Sequence, residues 1–391
     1  MAVPGTPLEI GMARGRMSDD TVLARPGGWA RVRFSRGVLS LDKRSIDLGG
    51  RDILVLGGAG YIGGVLVPDL VGAGARVRIL DRLIYDNGFA LQHLLDDEQV
   101  SFQFGDMWEP AVLEKAVRGA TDVVLLASLV GDPICKRYPG LAVRTNEEAP
   151  LRLLESLDSH GVDRFVFLST CSNYGLLPPD VLATEETELN PQSLYARTKI
   201  RVEEELLKQS NNAAYAGTIL RLATAYGLSP RMRFDLTVSQ FVWEIATGSG
   251  LVVYDADTWR PYCHIRDISK AIATVLTADD QLVRSEVFNV GDTREQFTKR
   301  MIVEQVQRYV PDAAIEYRSG DTDPRNYRVS FEKIADKLQF SCEHTVGSYV
   351  PKLVEAVANG IFPDDISSIR YGNYDVVPSY ARIEQDLAGA V

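Results

Sequence analysis

Cysteine is scarce in this 391-residue chain, and Cys135, Cys171, Cys263 and Cys342 are widely separated with no CxxC pair. A chain this long does not depend on disulfides for its core, so the default expectation is a reducing, cytoplasmic setting. No apolar run approaches the length of a membrane span, and the N-terminus lacks the basic-then-apolar order of a signal peptide. Positive charge is also short: 42 Lys and Arg stand against 53 Asp and Glu, a formal net charge of -11. With no basic stripe, a general binder of nucleic acid or anionic membrane is excluded, although a few local arginines can still hold a small anionic substrate. The length predicts one large domain and a smaller one.

What is present is glycine in a pattern. In Arg51 to Asp81, RDILVLGGAGYIGGVLVPDLVGAGARVRILD, an apolar run ends abruptly in glycines. An amphipathic segment follows, and a second apolar run, Ala75 to Leu80, closes on an acid. The order predicts a strand, a tight turn, a helix and a parallel strand. Gly57, Gly60 and Gly63 stand where backbone would approach a pyrophosphate and where the helix must pack on the sheet. Asp81 falls at the tip of the second strand, placed for a ribose hydroxyl.

Residues 1–50 form an N-terminal extension, read as mostly flexible over Met1 to Pro26, with a strand or hairpin over Trp29 to Leu41. Val100 to Phe104 predicts a third strand. Asp106 just beyond it could bond the adenine amine or cap the helix before Glu109-Pro110. Thr121 to Ser128 reads as a buried fourth strand and Val130 to Arg137 as the loop past its carboxyl end, where open parallel sheets bind ligands. A helix over about Asn146 to His160 leads to a fifth strand, Arg164 to Leu168, ending in the hydroxyl cluster Ser169 to Gly175. Alternating strands and helices make a doubly wound α/β parallel sheet the economical architecture.

Tyr195 and Lys199, in NPQSLYARTK, are four apart and so share one face of a helix. An ammonium close to a phenol favours the phenolate, which is what a proton shuttle near neutral pH requires.

These stretches resemble an extended short-chain dehydrogenase/reductase of the NAD-dependent epimerase/dehydratase group that acts on sugar nucleotides. The matching segments are Gly57–Gly64 (GGAGYIGG), Phe104–Asp106, Ser169–Gly175, Tyr195–Lys199, Leu220–Gly227 (LRLATAYG) and Arg260–Asp267 (RPYCHIRD). The resemblance implies a Rossmann-type sheet with a smaller α/β substrate-binding domain. The Rossmann part would span 51–227 and the substrate part mainly 228–391, with 260–292 returning to the sheet. It implies that Tyr195 is the general base, that Lys199 tunes it, and that Thr170 orients the same sugar hydroxyl. Cofactor contacts would come from Gly57, Gly60, Tyr61, Ile62, Gly63, Asp81, Arg82, Asp106, Met107, Ala127, Ser128 and Asn146. Substrate contacts would come from Asp132, Thr170, Cys171, Ser172, Thr224, Arg231, Arg260 and Arg325. Arg260 matches an arginine that pairs with the substrate diphosphate. No metal is implied, and a homodimer is, through the Tyr195 helix and the helix after the fourth strand.

Departures from the family pattern narrow the chemistry. The pair Cys171 and Ser172 stands where 4,6-dehydratases carry Asp-Glu, and decarboxylating relatives want a glutamate at the Ser172 position. Leu125 replaces a frequent histidine, which leaves the cofactor reading intact. Cys171 reads either as an acid/base for carbon epimerisation or as a small buried residue. Asp81 favours NAD because a carboxylate repels the 2′-phosphate of NADP, while Arg82 could swing to such a phosphate. In the second part, Arg231 and Arg233 are candidates for the nucleotide or for surface ion pairs. Arg325 or Arg328 could touch the substrate from the loop Arg318 to Arg328. His264 reads as structural and Asp267 as the cap of a helix Ile268 to Leu276. The expected activity is 4-epimerisation through a transient keto sugar, with a 4-keto sugar reductase or dehydrogenase as its rival and a dehydratase or a non-catalytic NAD-binding protein less favoured.

Overall fold

The computed structural model describes residues 46–178, 180–320 and 325–388. The N-terminal readings up to residue 45 lie outside the described residues. Seven strands build the main sheet: β1 (Asp52–Leu56), β2 (Arg76–Asp81), β3 (Val100–Phe104), β4 (Asp122–Leu125), β5 (Arg164–Thr170), β6 (Ala216–Leu222) and β7 (Glu286–Val290). They are parallel throughout, in the spatial order β7-β6-β5-β4-β1-β2-β3. The chain therefore winds outward from β1 through β3 and then crosses back to β4. That reversal leaves a crevice above the carboxyl ends of β1 and β4.

Both faces of the sheet are covered, which is why its strands read as unbroken apolar runs. Ile53, Val55, Val77, Ile79 and Val166 face helix α1 (Gly63–Gly72) and the helix Ile265–Thr277. Leu54, Leu56, Val123, Phe165 and Phe167 point to the opposite side, under the helices Pro110–Val117, Ala149–Leu157 and Leu194–Ser210. The alternation follows from the two-residue repeat of a strand.

A second core gathers Phe234, Val242, Trp243, Tyr262, Ile302, Val303, Val350 and Leu353. It is formed by the helices Thr237–Ala246, Lys299–Gln307 and Val346–Ala358 beside small sheets. Of residues 260–292, only Glu286–Val290 is hydrogen-bonded into the main sheet. Trp259–His264 instead joins a three-stranded sheet with Thr224–Tyr226 and Gln296–Thr298. The apolar pattern of PYCHI suits either location, and pairing partners distant in sequence decide it.

Helix ends show two further departures. The cap of Ile265–Thr277 is His264, whose Nδ1 accepts the Arg266 amide at 3.2 Å. Burial pushes its imidazole down to about 2, so the ring stays neutral. Asp267 lies inside the helix and accepts the Glu343 and His344 amides at 3.0 and 3.1 Å, tying a distant segment to it. All four cysteines are thiols, with the Cys263 and Cys342 sulfurs 4.0 Å apart. No helix among the described residues is long and apolar enough to cross a membrane.

Candidate active site

A cleft of about 1300 Å³ opens over the carboxyl edge of the sheet. Its volume exceeds the roughly 300–1,000 Å³ of a pocket for one drug-sized ligand. Its floor begins at the turn between β1 and α1. Gly57 has φ +86°, and a Cβ there would lie 2.6 Å from the Ala127 amide nitrogen at the end of β4. At Gly63 a Cβ would lie 2.3 Å from the Gly58 carbonyl oxygen. Any side chain at either place would push the turn away from the sheet, so glycine is what lets backbone line the cleft. Helix α1 starts here with no side-chain cap and no acidic residue in its first turn, so its N-terminus suits an anion.

Asp81, at the tip of β2, accepts the Ala59 amide at 3.0 Å and the Leu83 amide at 2.8 Å. Burial raises its pKa, and those two amides work against the rise. The carboxylate thus braces the glycine turn from which it would reach a ribose. Asn87, absent from the sequence reading, holds the same turn through Nδ2 to the Ala59 carbonyl at 2.8 Å. The Arg82 guanidinium lies 5.0 Å above the Phe104 ring. Asp106 accepts the Trp108 amide at 2.9 Å, an Asx turn; the residue capping Pro110–Val117 is Glu109, not Asp106. Gly60, Tyr61, Ile62, Met107, Ala127 and Ser128 also line the cleft. The Tyr61 hydroxyl, however, is committed to the Gly227 carbonyl at 2.6 Å.

Asn146 does not line the cleft. It is fully buried in a π-turn, Arg144–Glu148, where its Oδ1 accepts the Leu129 amide at 2.7 Å and the Ser128 hydroxyl at 2.9 Å, and its Nδ2 donates to the Leu129 carbonyl at 3.0 Å. A buried amide needs its partners satisfied, and the loop after β4 supplies them. Asn146 therefore shapes that loop from behind.

A second group of cleft residues gathers where β5 stops. Thr170 accepts the Ser172 amide at 3.1 Å, which fixes its oxygen while leaving its own proton to donate. Ser193 caps the helix Leu194–Ser210 by accepting the Ala196 amide. On that helix Tyr195, Lys199, Val202, Glu203 and Leu206 share the buried face. Thr170, Tyr195 and Lys199 all line the cleft.

The Lys199 ammonium donates to the Leu168 carbonyl at 2.9 Å and stands 5.9 Å from the Tyr195 ring centroid. Desolvation lowers its pKa to about 7. Burial, with Cys135 next, raises the Tyr195 pKa above its ordinary value. This differs from the expectation that the lysine sets a low phenol pKa. Burial outweighs a cation at that distance.

Behind these groups sits a buried network that the sequence reading missed. Arg221 and Glu203 are paired at 2.7 Å with side chains 6% and 3% exposed. Ser169 donates to the same carboxylate, Asn173 donates to it at 2.9 Å, and Arg221 also reaches the Tyr174 hydroxyl at 3.1 Å. The network fastens the Tyr195 helix to the ends of β5 and β6. LRLATAYG carries Arg221 and YARTK lies just before Glu203, so the signal was present without an assigned role.

Also lining the cleft, Arg260 lies 5.1 Å above the Tyr327 ring, and Tyr327 bonds Ser172 at 3.2 Å. Arg325 pairs with Asp132 at 3.3 Å. Thr224 lines the cleft with them. Arg231 is 2% exposed, lies 4.6 Å above the Tyr85 ring, and has its pKa lowered to about 10 by burial and by Arg233. Arg233 is paired with Asp235. Neither is a surface ion pair; both are enclosed by the walls of the cleft. Cys171 departs from its expected place: it is 1% exposed, lies outside the cleft lining and donates to the Arg221 carbonyl at 3.2 Å. Burial raises its pKa far above the ordinary thiol value, which fits the buried reading and not the acid/base one.

Comparisons with known proteins bear on family and fold. A family model described as "NAD dependent epimerase/dehydratase family" matches residues 53–291. The chain is similar to a UDP-glucose 4-epimerase of Corynebacterium glutamicum, 28% identical over 311 residues, covering 75% of this chain and 91% of that protein. It is similar also to UDP-glucuronic acid decarboxylase 1 of Arabidopsis thaliana, 26% identical over 327 residues, covering 80% and 71%. A UDP-glucuronic acid 4-epimerase of Bacillus cereus, solved with UDP-glucuronic acid and NAD, shares the fold with a TM-score of 0.71 at 22% identity, covering 80% of this chain and all of that one.

Proposed function

From the premise that the chain belongs to the NAD dependent epimerase/dehydratase family, as an enzyme of the extended short-chain dehydrogenase/reductase type, we propose that it inverts C4 of a nucleotide-linked sugar. The observation that carries the reading is that Thr170, Tyr195 and Lys199 line the same cleft as a glycine cradle. The cradle fits a dinucleotide: Gly57 and Gly63 leave backbone where a Cβ would stand, beside an uncapped helix N-terminus. NAD held there by these residues would supply a reversible hydride acceptor for C4.

Tyr195 takes the proton from the sugar 4-OH and later gives it back. Thr170 orients that hydroxyl with the proton that its bond to Ser172 leaves free. Lys199, whose pKa burial lowers to about 7, would supply positive charge beside the phenolate in its protonated form. A keto sugar free to turn over in the cleft would be reduced on its opposite face, which would invert C4 with no net oxidation. Arg260, Arg231 and Arg325 would hold the diphosphate and sugar, forks suited to such oxygens. Asp81 would take the adenosine ribose and Asp106 the adenine.

Elimination of water is disfavoured because the two positions after Thr170 carry no carboxylate: Cys171 is buried and Ser172 bonds Tyr327. The same serine stands where a decarboxylase wants glutamate. We carry a homodimer as part of the proposal, checked by sedimentation. Cofactor stoichiometry tests the chemistry. Sugar conversion with no cofactor consumed supports epimerisation, and one reduced cofactor consumed per turnover replaces it with a keto-sugar reductase.

A further inference from the structure

The chain continues well past the residues matched by the family, and its last described segment comes back to the cleft. Asp364 to Ser367, Asn373, Tyr374 and Tyr380 line it, before helix Pro378–Ala388 ends the described residues. Both walls hold this segment. On the substrate wall the Tyr371 carbonyl accepts the Phe234 amide at 2.7 Å, and the Ile369 and Gly372 carbonyls each accept Arg231 Nη2 at 3.1 Å. On the cofactor wall Asn373 Nδ2 donates to the Val130 carbonyl and the Val377 amide to the Ile84 carbonyl, both at 2.9 Å. Glu384 then accepts the Gly140 and Leu141 amides at 3.0 and 2.6 Å, which anchors the final helix.

Tyr380 is where this segment meets the corner assigned above to adenosine. Only 2% of its surface is exposed. Its hydroxyl is 2.9 Å from the Thr145 hydroxyl and its ring lies 6.0 Å from the Arg82 guanidinium. Asp81, Arg82, Asp106 and Met107 line the same cleft.

We propose that Tyr380 is a wall of the adenosine subsite and that residues 369–388 form a strap which keeps the dinucleotide enclosed between turnovers. The proposal rests on the reading of this cleft as an NAD site. Bonds to both walls must open together before a ligand beneath can leave, so the strap acts on release more than on what the ligand touches. Enclosure suits a reaction that returns its hydride to the sugar, because such a cycle needs no fresh cofactor. A net oxidoreductase must exchange it every turn.

The test uses the full chain loaded with NADH and chased with excess NAD+, with release followed by NADH fluorescence. Tyr380→Ala and Glu384→Ala each speed release at least about tenfold, and Tyr380→Phe, which keeps the ring, stays within about threefold of the wild type. Glu384→Ala removes only the anchor of the strap, so it reads the proposal even where Tyr380→Ala folds poorly. Release from Glu384→Ala and Tyr380→Ala at the wild-type rate overturns the strap while leaving the NAD reading standing. A wild type that binds no NADH overturns the cofactor reading itself, and the strap with it.

Discussion

The two walls of the cleft are built by opposite means. The cofactor wall is backbone: a glycine turn, an uncapped helix end and a carboxylate holding amides, all at the tips of neighbouring parallel strands. The wall proposed to face the substrate is side chains, chiefly Arg231, Arg260 and Arg325, drawn from separate segments and held by carbonyls, aromatic rings and a carboxylate. Backbone chemistry at a strand tip demands particular residues at fixed spacing. A guanidinium can arrive from anywhere in the chain, and only the fold says which ones do.

The comparison breaks most sharply at Tyr195. Tyr195→Phe lowers turnover by about 10²–10⁴-fold while NADH binding stays within a few-fold, since general acid–base catalysis supplies gains of that size. Full turnover in this variant, measured by sugar interconversion, contradicts the mechanism. Next comes the network that holds the reactive helix. Glu203→Ala strands the buried Arg221 charge and destabilises the protein by about 3–5 kcal/mol in urea unfolding. A loss below about 1 kcal/mol would show that the pair is not the anchor described here.

On the cofactor wall, Gly57→Ala forces φ +86° on a residue with a Cβ and presses it against Ala127. The expected cost is about 1–3 kcal/mol of stability or cofactor affinity, read by calorimetry. On the substrate wall Arg260→Ala raises KM by about tenfold or more with NADH affinity unchanged, the loss of a charge-assisted hydrogen bond. Equal effects on both ligands would erase the division between the walls.

The smallest effect is a pH slope. Lys199 falls from the ordinary 10.5 to about 7 on folding. Between those values the unfolded chain holds more protons than the folded one, so this group makes stability rise with pH. From pH 7 to pH 9 the wild type gains on Lys199→Met by about 2 kcal/mol in urea unfolding. Parallel profiles for the two proteins would mean that the ammonium stays charged in the fold.

Much of the sheet was legible because parallel strands announce themselves as apolar runs between turns. Val100–Phe104 matches its expected limits, and β5 extends two residues further, to Thr170. Thr121 to Ser128 was too long, because its last residues form the cleft loop instead of pairing. In the site, glycines and the Tyr-Lys spacing carried the reading. Asn146 and Cys171 were placed in the cleft by analogy of position, yet each turns inward to bond a carbonyl that only the folded loop or strand presents. Tyr380 could not be read at all. Its proposed role follows from a tail with no motif reaching a corner built about 300 residues earlier, as the Tyr380 ring beside Arg82 marks.

The central claim is tested most directly by incubating the purified protein with UDP-, dTDP- and GDP-linked sugars, without added cofactor, and following sugar configuration by NMR. Epimerisation with enclosed NAD predicts inversion at C4 over many turnovers. Conversion that begins only when NADH or NAD+ is supplied in stoichiometric amount contradicts it.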